Sequence, residues 1–320
     1  MSIRASILSF ILKRTLKKQF DTIDDVVSFR QKMTDAGNLG GDAPDRINVV
    51  PQLINDVPCE WITTEDTDQN QVLLYLHGGG YVFGSPESHR GLAWRLADES
   101  GMRVLMVDYS LAPENRFPAA LEDATKCYRW LLDEGFSAEA IAIGGDSAGG
   151  GLALASLVQM KNLGLTLPSC AILLSPWLDL SASGSSVETN ATADAMLTPK
   201  ALNVMAGHYL GDLDRTAALA SPLFADLSDL PPFLIHVGST EILLSDTERV
   251  TSKIEESGGS VTTKVWPQMP HVFQVFASRI PEGKVAIKEL SVFLKSHAKS
   301  TTTGALTSIA ESAATGDQAS

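Results

Sequence analysis

Short apolar runs alternate with stretches of helical periodicity along most of the chain, beginning near residue 71. Six such runs predict buried strands: QVLLYLH, RVLMVDY, AIAIGG, SCAILLS, PPFLIHVG and SVTTKVWP. Three segments between them predict helices: SHRGLAWRLADES, PAALEDATKCYRWLLDEG and DTERVTSKIEES. Alternation of this kind predicts an α/β fold, in which helices cover both faces of a mostly parallel sheet.

Two stretches, residues 1–45 and 182–215, fall outside this alternation. Each contains segments of helical periodicity with no predicted strand beside them. We expect the two stretches to form a small helical cap on a core built from residues 46–181 and 216–299. Residues 300–320 are small and polar, which predicts a disordered tail.

The first twenty residues contain an apolar stretch that is followed by positive charges. Its apolar residues recur at helical spacing: Ile3, Ile7, Leu8, Ile11 and Leu12. We therefore predict an amphipathic helix that packs on the protein's own body, with binding flat on a membrane surface as the alternative. The apolar stretch is too short to span a bilayer. The order of the charges and the lack of an A-x-A site argue against a secretion signal.

The composition is typical of a soluble globular protein with a sizeable core, since 44% of its 320 residues are hydrophobic and 20% are charged. The formal net charge of -13 argues against nucleic acid or anionic lipid as a partner, because either would need a clustered basic surface. We also expect no stable membrane insertion, because the N-terminal apolar stretch is short. Three widely spaced cysteines, Cys59, Cys127 and Cys170, are expected to be reduced, which favours a cytoplasmic location. None of them has a Cys or His at zinc-ligand spacing, so we expect no metal site.

A serine flanked by glycines stands between a predicted strand and a predicted apolar helix. The stretch GDSAG at 145–149 matches G-x-S-x-G in the context of a nucleophile elbow. The tight turn exposes the hydroxyl of Ser147, and the positive end of the following helix faces any negative charge that develops beside it. The glycine spacing fits neither a dinucleotide fingerprint nor a phosphate-binding loop. We therefore predict Ser147 as a nucleophile.

Three consecutive glycines follow the strand QVLLYLH and predict an oxyanion hole. The N–H groups of Gly78, Gly79 and Gly80, together with that of Ala148, would hold the oxyanion of a tetrahedral intermediate. Taken alone, three glycines are equally typical of an ordinary turn between a strand and a helix. The GDSAGG motif further along the chain favours the oxyanion hole.

The base and the acid of the predicted triad should follow later strands. His271 stands in the loop QMPHVF beyond the strand TTKVWP, and it comes last in the chain order serine, acid, histidine. The acid should follow the strand PPFLIHV, where GSTEILLSDTE offers Glu241, Asp246 and Glu248. Glu241 comes directly after the turn residues and is favoured, while Asp246, one helical turn further, stays an alternative.

Five motifs, in order along residues 70–295, give the chain a family resemblance. They are HGGG at 77–80, DYSLAPE at 108–114, GDSAGG at 145–150, SPWLDLS at 175–181 and HVF at 271–273. With them the chain resembles the hormone-sensitive-lipase-like branch of the α/β-hydrolases, which includes the bacterial family IV esterases. The resemblance implies an eight-stranded sheet, a helical cap, and cofactor-free hydrolysis of esters with short or medium acyl chains. By analogy it also allows a homodimer. The family usually has Asp where Glu241 stands.

Apolar residues beside these motifs are candidates for the substrate pocket: Tyr81, Phe83, Trp177, Met196, Leu197, Val272 and Phe273. Adjacency is the only ground for choosing them, and most are equally suited to the core. The expected partner is a small-molecule ester. An amidase or N-deacetylase would use the same triad. A non-catalytic binding protein on the same fold, similar to plant hormone receptors that lack the catalytic histidine, is a third alternative that the presence of His271 disfavours.

Overall fold

Eight strands form one central sheet in the structure, a computed structural model that describes residues 1–23, 25–35, 37 and 40–299. The strands are β1 (Asn48–Ile54), β2 (Val57–Thr63), β3 (Asp68–Leu76), β4 (Met102–Val107), β5 (Ile141–Asp146), β6 (Cys170–Leu174), β7 (Phe233–Gly238) and β8 (Val261–Trp266). Their order across the sheet is β1-β2-β4-β3-β5-β6-β7-β8. Strands β3 to β8 are parallel, whereas the hairpin of β1 and β2 joins antiparallel to β4. The prediction of an α/β fold with a mostly parallel, eight-stranded sheet is confirmed.

Helices flank the sheet on both faces. They are α1 (Ile3–Arg14), α2 (Leu16–Asp21), α3 (Val26–Asp35), α4 (Pro86–Ser100), α5 (Ala119–Asp133), α6 (Ala148–Asn162), α7 (Ser186–Thr189), α8 (Pro199–Leu210), α9 (Leu244–Glu256) and α10 (Pro281–His297). Helices α4 and α10 pack on one face, and α5, α6 and α9 pack on the other.

The central strands are apolar throughout because both of their faces are covered. In β4, Leu105 and Val107 belong to the core on the α5 and α6 side, while Val104 and Met106 belong to the core on the α4 and α10 side. Alternate side chains of a strand point to opposite faces, so a strand between two helical layers has no polar face. The continuous apolar runs of the sequence follow from this arrangement.

Strands β1 and β2 were not among the runs predicted from the alternation of strands and helices. Strand β1 forms one edge of the sheet, where Val50 and Leu53 are exposed and Pro51 interrupts the apolar pattern. An edge strand tolerates proline and exposed positions because one of its sides forms no ladder. Its sequence therefore lacks the signal that marks the buried strands.

The predicted N-terminal helix is present as α1, but part of its predicted buried face is wrong. Leu8 and Leu12 are buried, whereas Ile3, Ile7 and Ile11 are exposed. Each residue advances about 100° around a helix, so positions 3 and 7 lie about 160° and 120° from the mean direction of positions 8 and 12, and position 11 lies about 80° from it. The helix has two apolar faces, and only one of them packs on the protein.

The N-terminal segment contacts the segment between β6 and β7. Lys17 of α2 donates hydrogen bonds from Nζ to the carbonyls of Ala191 (2.6 Å) and Asp194 (2.8 Å), and α2 packs against α8. Among the described helices, none combines the length and the apolar character needed to cross a bilayer. The predicted disordered tail, residues 300–320, lies outside the described residues.

Candidate active site

Ser147 lies at a tight turn between β5 and α6. Its backbone has φ 54° and ψ -122°, in the positive-φ region that residues other than glycine rarely occupy. The turn brings α6 so close to β3 that a Cβ atom at Gly149 would lie 2.0 Å from the carbonyl oxygen of Leu76. Only glycine fits there. The local backbone geometry is that of the nucleophile elbow that the sequence predicts.

His271 and Glu241 are hydrogen-bonded to each other. The distance from His271 Nδ1 to Glu241 Oε2 is 2.7 Å, and both side chains are buried. Because a carboxylate can only accept, Nδ1 carries the proton, and in the neutral ring Nε2 is left free to act as a base. Burial alone would lower the pKa of His271, but the hydrogen bond and the charge of Glu241 outweigh it and raise the pKa above 6.5.

The second oxygen of Glu241 is also held. Glu241 Oε1 accepts hydrogen bonds from Ser175 Oγ (2.7 Å) and from the N–H of Gly238 (2.5 Å). Ser175 Oγ in turn accepts the N–H of Val272 at 3.2 Å, so one hydroxyl connects the acid to the residue after His271. Sequence reasoning missed this role. The signals present were the place of Ser175 at the start of SPWLDLS and directly after a strand.

Asp246, the alternative acid, has other partners. Its Oδ2 accepts the N–H groups of Leu178 (2.9 Å) and Asp179 (3.0 Å), and its Oδ1 lies 2.7 Å from Arg249 Nη2. Burial raises the pKa of Asp246 to about 6, which leaves the carboxylate ionised at neutral pH. The structure therefore brings Glu241, and not Asp246, to His271.

A second buried carboxylate holds the loop that carries Glu241. Asp194 Oδ2 accepts the N–H of Ile242 at 2.8 Å, and its Oδ1 accepts the N–H groups of Met196 (2.8 Å) and Leu197 (2.9 Å). Burial raises the pKa of Asp194, although the nearby His271 opposes the shift. Nothing in the sequence marked Asp194 as a support of the Glu241 loop, because Ile242, its partner there, lies 48 residues away.

Asn190 holds the same loop from the same side. Its Nδ2 donates to the carbonyl of Glu241 at 2.8 Å and to that of Ser239 at 3.3 Å. The Glu241 loop thus receives hydrogen bonds from two residues of the segment between β6 and β7. Lys17 binds the backbone of that segment in turn, which connects the N-terminal helices to the acid.

The glycine loop after β3 reaches the same place. Gly79 and Gly80 have positive φ angles, 127° and 61°, and both line the cavity that contains Ser147. A Cβ atom at Gly79 would lie 2.0 Å from the carbonyl oxygen of Phe83, so the loop closes on itself too tightly for a side chain. Gly78 is instead packed against Asp146 and does not line the cavity.

An aromatic contact holds His77, the residue directly before the three glycines. Tyr109, in the DYSLAPE motif, donates from its hydroxyl to the carbonyl of His77 at 2.7 Å, and the two rings stack at 4.3 Å. His77 Nδ1 donates to the carbonyl of Gly78 at 2.8 Å. Burial lowers the pKa of His77 to about 3, so this ring stays neutral and acts as a fixed hydrogen-bond donor.

Asp146 and His89 are paired beside the nucleophile, and sequence reasoning did not identify this pair. His89 Nε2 lies 3.3 Å from Asp146 Oδ2, and the Tyr75 hydroxyl donates to Asp146 Oδ1 at 3.0 Å. Burial opposes the charge of both groups, but their mutual attraction outweighs it, so the pKa of Asp146 is lowered and that of His89 is raised. Both residues border the cavity. This pair holds the residue that precedes Ser147, whereas His271 is hydrogen-bonded to a different carboxylate, that of Glu241.

The cavity over Ser147 has a volume of about 1080 Å³, including the space at its open mouth. Ser147 and His271 both line it, as do five of the seven predicted pocket residues: Phe83, Trp177, Met196, Leu197 and Val272. Among the further apolar lining residues, which the sequence did not single out, are Leu16, Phe20, Met33, Leu202 and Met205. These residues come from α2, α3 and α8, and they carry no motif that could have marked them.

The remaining two predicted pocket residues, Tyr81 and Phe273, do not line the cavity. Tyr81 is buried and stacks on Tyr209 with ring centroids 3.9 Å apart, while Phe273 packs against Trp266 at 5.1 Å. Tyr81 has a φ angle of 63°, and its ring contacts Tyr209 of α8. Adjacency to a motif was therefore a wrong guide for these two residues.

Known proteins match this chain over most of its length. The alpha/beta hydrolase fold matches residues 73–275. An acetyl-hydrolase of Streptomyces hygroscopicus is 40% identical over 259 residues, which cover 81% of this chain and 85% of the relative. An esterase of Acinetobacter venetianus is 40% identical over 227 residues, which cover 71% and 75%.

Solved structures agree with these relatives. The crystal structure of an esterase from the bacterial hormone-sensitive lipase family has a TM-score of 0.88 and 40% sequence identity, and the match covers 93% of this chain and 99% of that one. Sequence, fold and site geometry thus point the same way. The chain belongs to the alpha/beta hydrolases, in the hormone-sensitive-lipase-like branch of carboxylic ester hydrolases.

Proposed function

We propose that this chain hydrolyses carboxylic esters with short to medium acyl chains through an acyl-enzyme intermediate on Ser147. The observation that carries the proposal is the 2.7 Å hydrogen bond from His271 Nδ1 to Glu241 Oε2, in a cavity that also contains the strained Ser147. A nucleophile at an elbow with an oriented imidazole in the same cavity is the arrangement that serine hydrolysis requires. Glu241 is assigned as the acid because it is the carboxylate that contacts His271.

The reaction follows from these positions. His271 Nε2 takes the proton of Ser147 Oγ as the hydroxyl attacks the ester carbonyl, and the imidazolium then protonates the leaving alcohol. Water, activated by the same nitrogen, hydrolyses the acyl-enzyme and frees Ser147. The N–H groups of Gly79, Gly80 and Ala148 are the proposed oxyanion donors, and the loss of one such donor typically costs about 10² to 10³ in rate. Gly78 keeps the loop closed against Asp146.

The cavity supports a small apolar substrate. Its lining includes Phe20 and Met33 from the N-terminal helices and Leu202 and Met205 from α8. We propose that residues 1–45 and 182–215 act together as a cap over the core formed by residues 46–181 and 216–299. The contacts of Lys17 with the carbonyls of residues 191 and 194 support this division. The name of the acetyl-hydrolase relative supports short acyl groups.

We also propose a cytoplasmic location and a homodimer. Cys59 and Cys127 are buried free thiols with Sγ atoms 3.7 Å apart, a pair that suits a reducing compartment. Strand β8 is an edge strand and exposes Val265, which supports pairing with a second copy. Light scattering coupled to size-exclusion chromatography tests the dimer. The acidic net charge argues against nucleic acids as partners, and the apolar lining of the cavity supports a small-molecule ester.

The first experiment compares the wild type with Ser147→Ala on p-nitrophenyl acetate, butyrate, octanoate and palmitate. We expect strong turnover of the shorter esters by the wild type and a loss of about 10⁴-fold or more in the variant. Circular dichroism of both proteins shows whether the variant keeps its fold. Full turnover by Ser147→Ala would contradict the assignment. A folded wild type that cleaves only the matching anilides would indicate an amidase, and one that cleaves neither would indicate a binding protein.

A further inference from the structure

Helix α1 exposes a row of large apolar side chains on the side that faces away from the protein. Ile3 is 80% exposed, Ile7 54%, Phe10 56% and Ile11 49%. On a helical wheel these four residues fall within about 100° of one another, and the centre of the row lies about 130° from the mean direction of the buried Leu8 and Leu12. A helix with both sides apolar is expected where both sides are covered, and a contiguous exposed apolar patch marks an interaction surface.

The charge around this face is opposite to that of the whole chain. The first twenty residues contain five cations and no acidic residue, although the formal net charge of the protein is -13. Arg4 and Lys13 flank the apolar row on its two sides, and the Arg14 guanidinium lies over the Phe10 ring at 4.1 Å. Lys18 is exposed on α2. Within the described part of the chain, none of these four side chains forms an ion pair.

The chemistry of the face identifies what covers it. A second copy would bring two sets of these cations together, so its charge opposes self-association. An apolar row on a convex helix, flanked by cations, instead matches a lipid surface with anionic headgroups, where the side chains enter the acyl boundary and the cations meet phosphates. The acidity of the rest of the protein then turns its other faces away from the same surface.

We propose that α1 docks the protein reversibly on an anionic lipid bilayer. Ile3, Ile7, Phe10 and Ile11 enter the interface, while Arg4, Lys13, Arg14 and Lys18 contact the headgroups. The helix lies in the plane of the surface and does not cross it. Helix α2, which follows α1 directly, contributes Leu16 and Phe20 to the catalytic cavity. Docking through α1 therefore places the lipid surface beside the segment that borders the cavity.

The test measures binding of the full-length protein to vesicles of phosphatidylcholine alone and of phosphatidylcholine mixed with phosphatidylglycerol, by co-sedimentation. We expect the wild type to bind the anionic vesicles at least about tenfold more tightly, and to dissociate at high salt. Ile7→Gln combined with Phe10→Gln should weaken that binding about tenfold or more. Lys13→Gln combined with Lys18→Gln should weaken it about fivefold per cation on anionic vesicles only.

The matched control is Val50→Gln combined with Leu53→Gln on β1, where the two side chains are 53% and 63% exposed. This variant should bind anionic vesicles as the wild type does. Equal binding of the wild type to both vesicle types, or unchanged binding by the α1 variants, would overturn the proposal. So would a change of oligomeric state caused by Ile7→Gln with Phe10→Gln, since the face would then belong to a second copy. Hydrolysis of dissolved p-nitrophenyl acetate should be the same in all variants, so this test is independent of the proposed esterase activity.

Discussion

Glu241 and Asp246 stand five residues apart on either side of the start of α9, and both side chains are buried, but their carboxylates have different partners. Glu241 directs one oxygen at His271 and holds the other on Ser175 and Gly238. Asp246 accepts two backbone N–H groups with one oxygen and a hydrogen bond from Arg249 with the other. The two carboxylates are thus equally buried and stand close together in the sequence. Only the groups that they bind distinguish the proposed catalytic acid from a structural carboxylate.

The difference has a physical origin. A carboxylate that orients a catalytic histidine must present one oxygen to the ring at the edge of the cavity while the rest of its group is fixed. Glu241 satisfies this because Ser175 and Gly238 bind only its far oxygen. Asp246 is turned towards the loop after β6, where it organises the chain around residues 178 and 179. Its charge is balanced locally by Arg249 and has no connection to His271.

Among the variants that test this comparison, Glu241→Gln should have the largest effect on kcat. The amide cannot both accept the His271 Nδ1 proton and keep the hydrogen bonds at the other oxygen, so we expect kcat to fall by about 10³ to 10⁴. The pKa of His271 should fall as well, because the charge and hydrogen bond that raise it are lost while burial, which lowers it, remains. In the variant, the residual kcat/KM should therefore begin to fall, on the acid limb of its pH profile, only at a lower pH than in the wild type. Profiles of kcat/KM against pH measure this shift.

The sign of that shift separates a catalytic from a merely structural role. In the wild type the raised pKa keeps His271 protonated to a higher pH, so kcat/KM should increase as the pH rises through a value above 6.5. Glu241→Asp, which retains the charge on a shorter side chain, should keep the limb close to its wild-type position while kcat falls about tenfold to a hundredfold through the lost reach. An unchanged limb in Glu241→Gln would argue that another group sets the pKa.

Ser175→Ala is the next largest expected effect, since it removes the hydroxyl that joins Glu241 to Val272. A hydrogen bond to a charged group contributes about 1.5 to 3 kcal/mol, so we expect kcat to fall roughly tenfold to a hundredfold with KM little changed. Ser175→Thr keeps the hydroxyl and should recover part of the loss. A drop in stability with normal kcat would instead assign Ser175 a purely structural role.

Asp194→Asn tests whether the loop of Glu241 depends on the segment between β6 and β7. The amide retains one accepting oxygen for Met196 and Leu197 but presents an NH₂ group to the N–H of Ile242, so the loop should shift. We expect kcat to fall about fivefold to tenfold. Asp226→Asn, on an exposed loop, is the control that should leave kcat unchanged. Wild-type kcat in Asp194→Asn would show that the contacts of Asn190 hold the loop by themselves.

The parts of the fold and of the site that the sequence predicts are those marked by patterns among neighbouring residues. The buried strands, the turn at Ser147 and the glycine loop were found because apolar runs and close backbone approaches leave marks on neighbouring residues. His271 followed from its place after a strand. The edge strand β1 left no comparable mark. Tyr81 and Phe273 were assigned to the pocket by adjacency, but Tyr81 stacks on Tyr209 and Phe273 packs against Trp266 in the core.

Long-range contacts explain what the sequence did not reveal. The hydrogen bond of Ser175 with Glu241 spans 66 residues, and that of Asp194 with Ile242 spans 48. Such pairs depend on how strands β6 and β7 lie side by side in the sheet and on how the segment between them folds back. No residue type at either end specifies the partner. The choice between Glu241 and Asp246 belonged to the same class of question, and geometry was needed to answer it.

Asp246→Asn carries the smallest expected effect on activity and completes the comparison. Asparagine can still accept the N–H groups of Leu178 and Asp179, but its NH₂ group would face Arg249, a donor, in place of an oxygen. Arg249 is one third exposed and keeps its contact with Asp179 at 2.9 Å, so solvent and this second partner limit the loss. We expect the free energy of unfolding to fall by about 1 to 3 kcal/mol while kcat changes less than about threefold. Urea unfolding and steady-state kinetics on the same preparation measure both quantities, and a collapse of kcat at unchanged stability would move the catalytic assignment from Glu241 to Asp246.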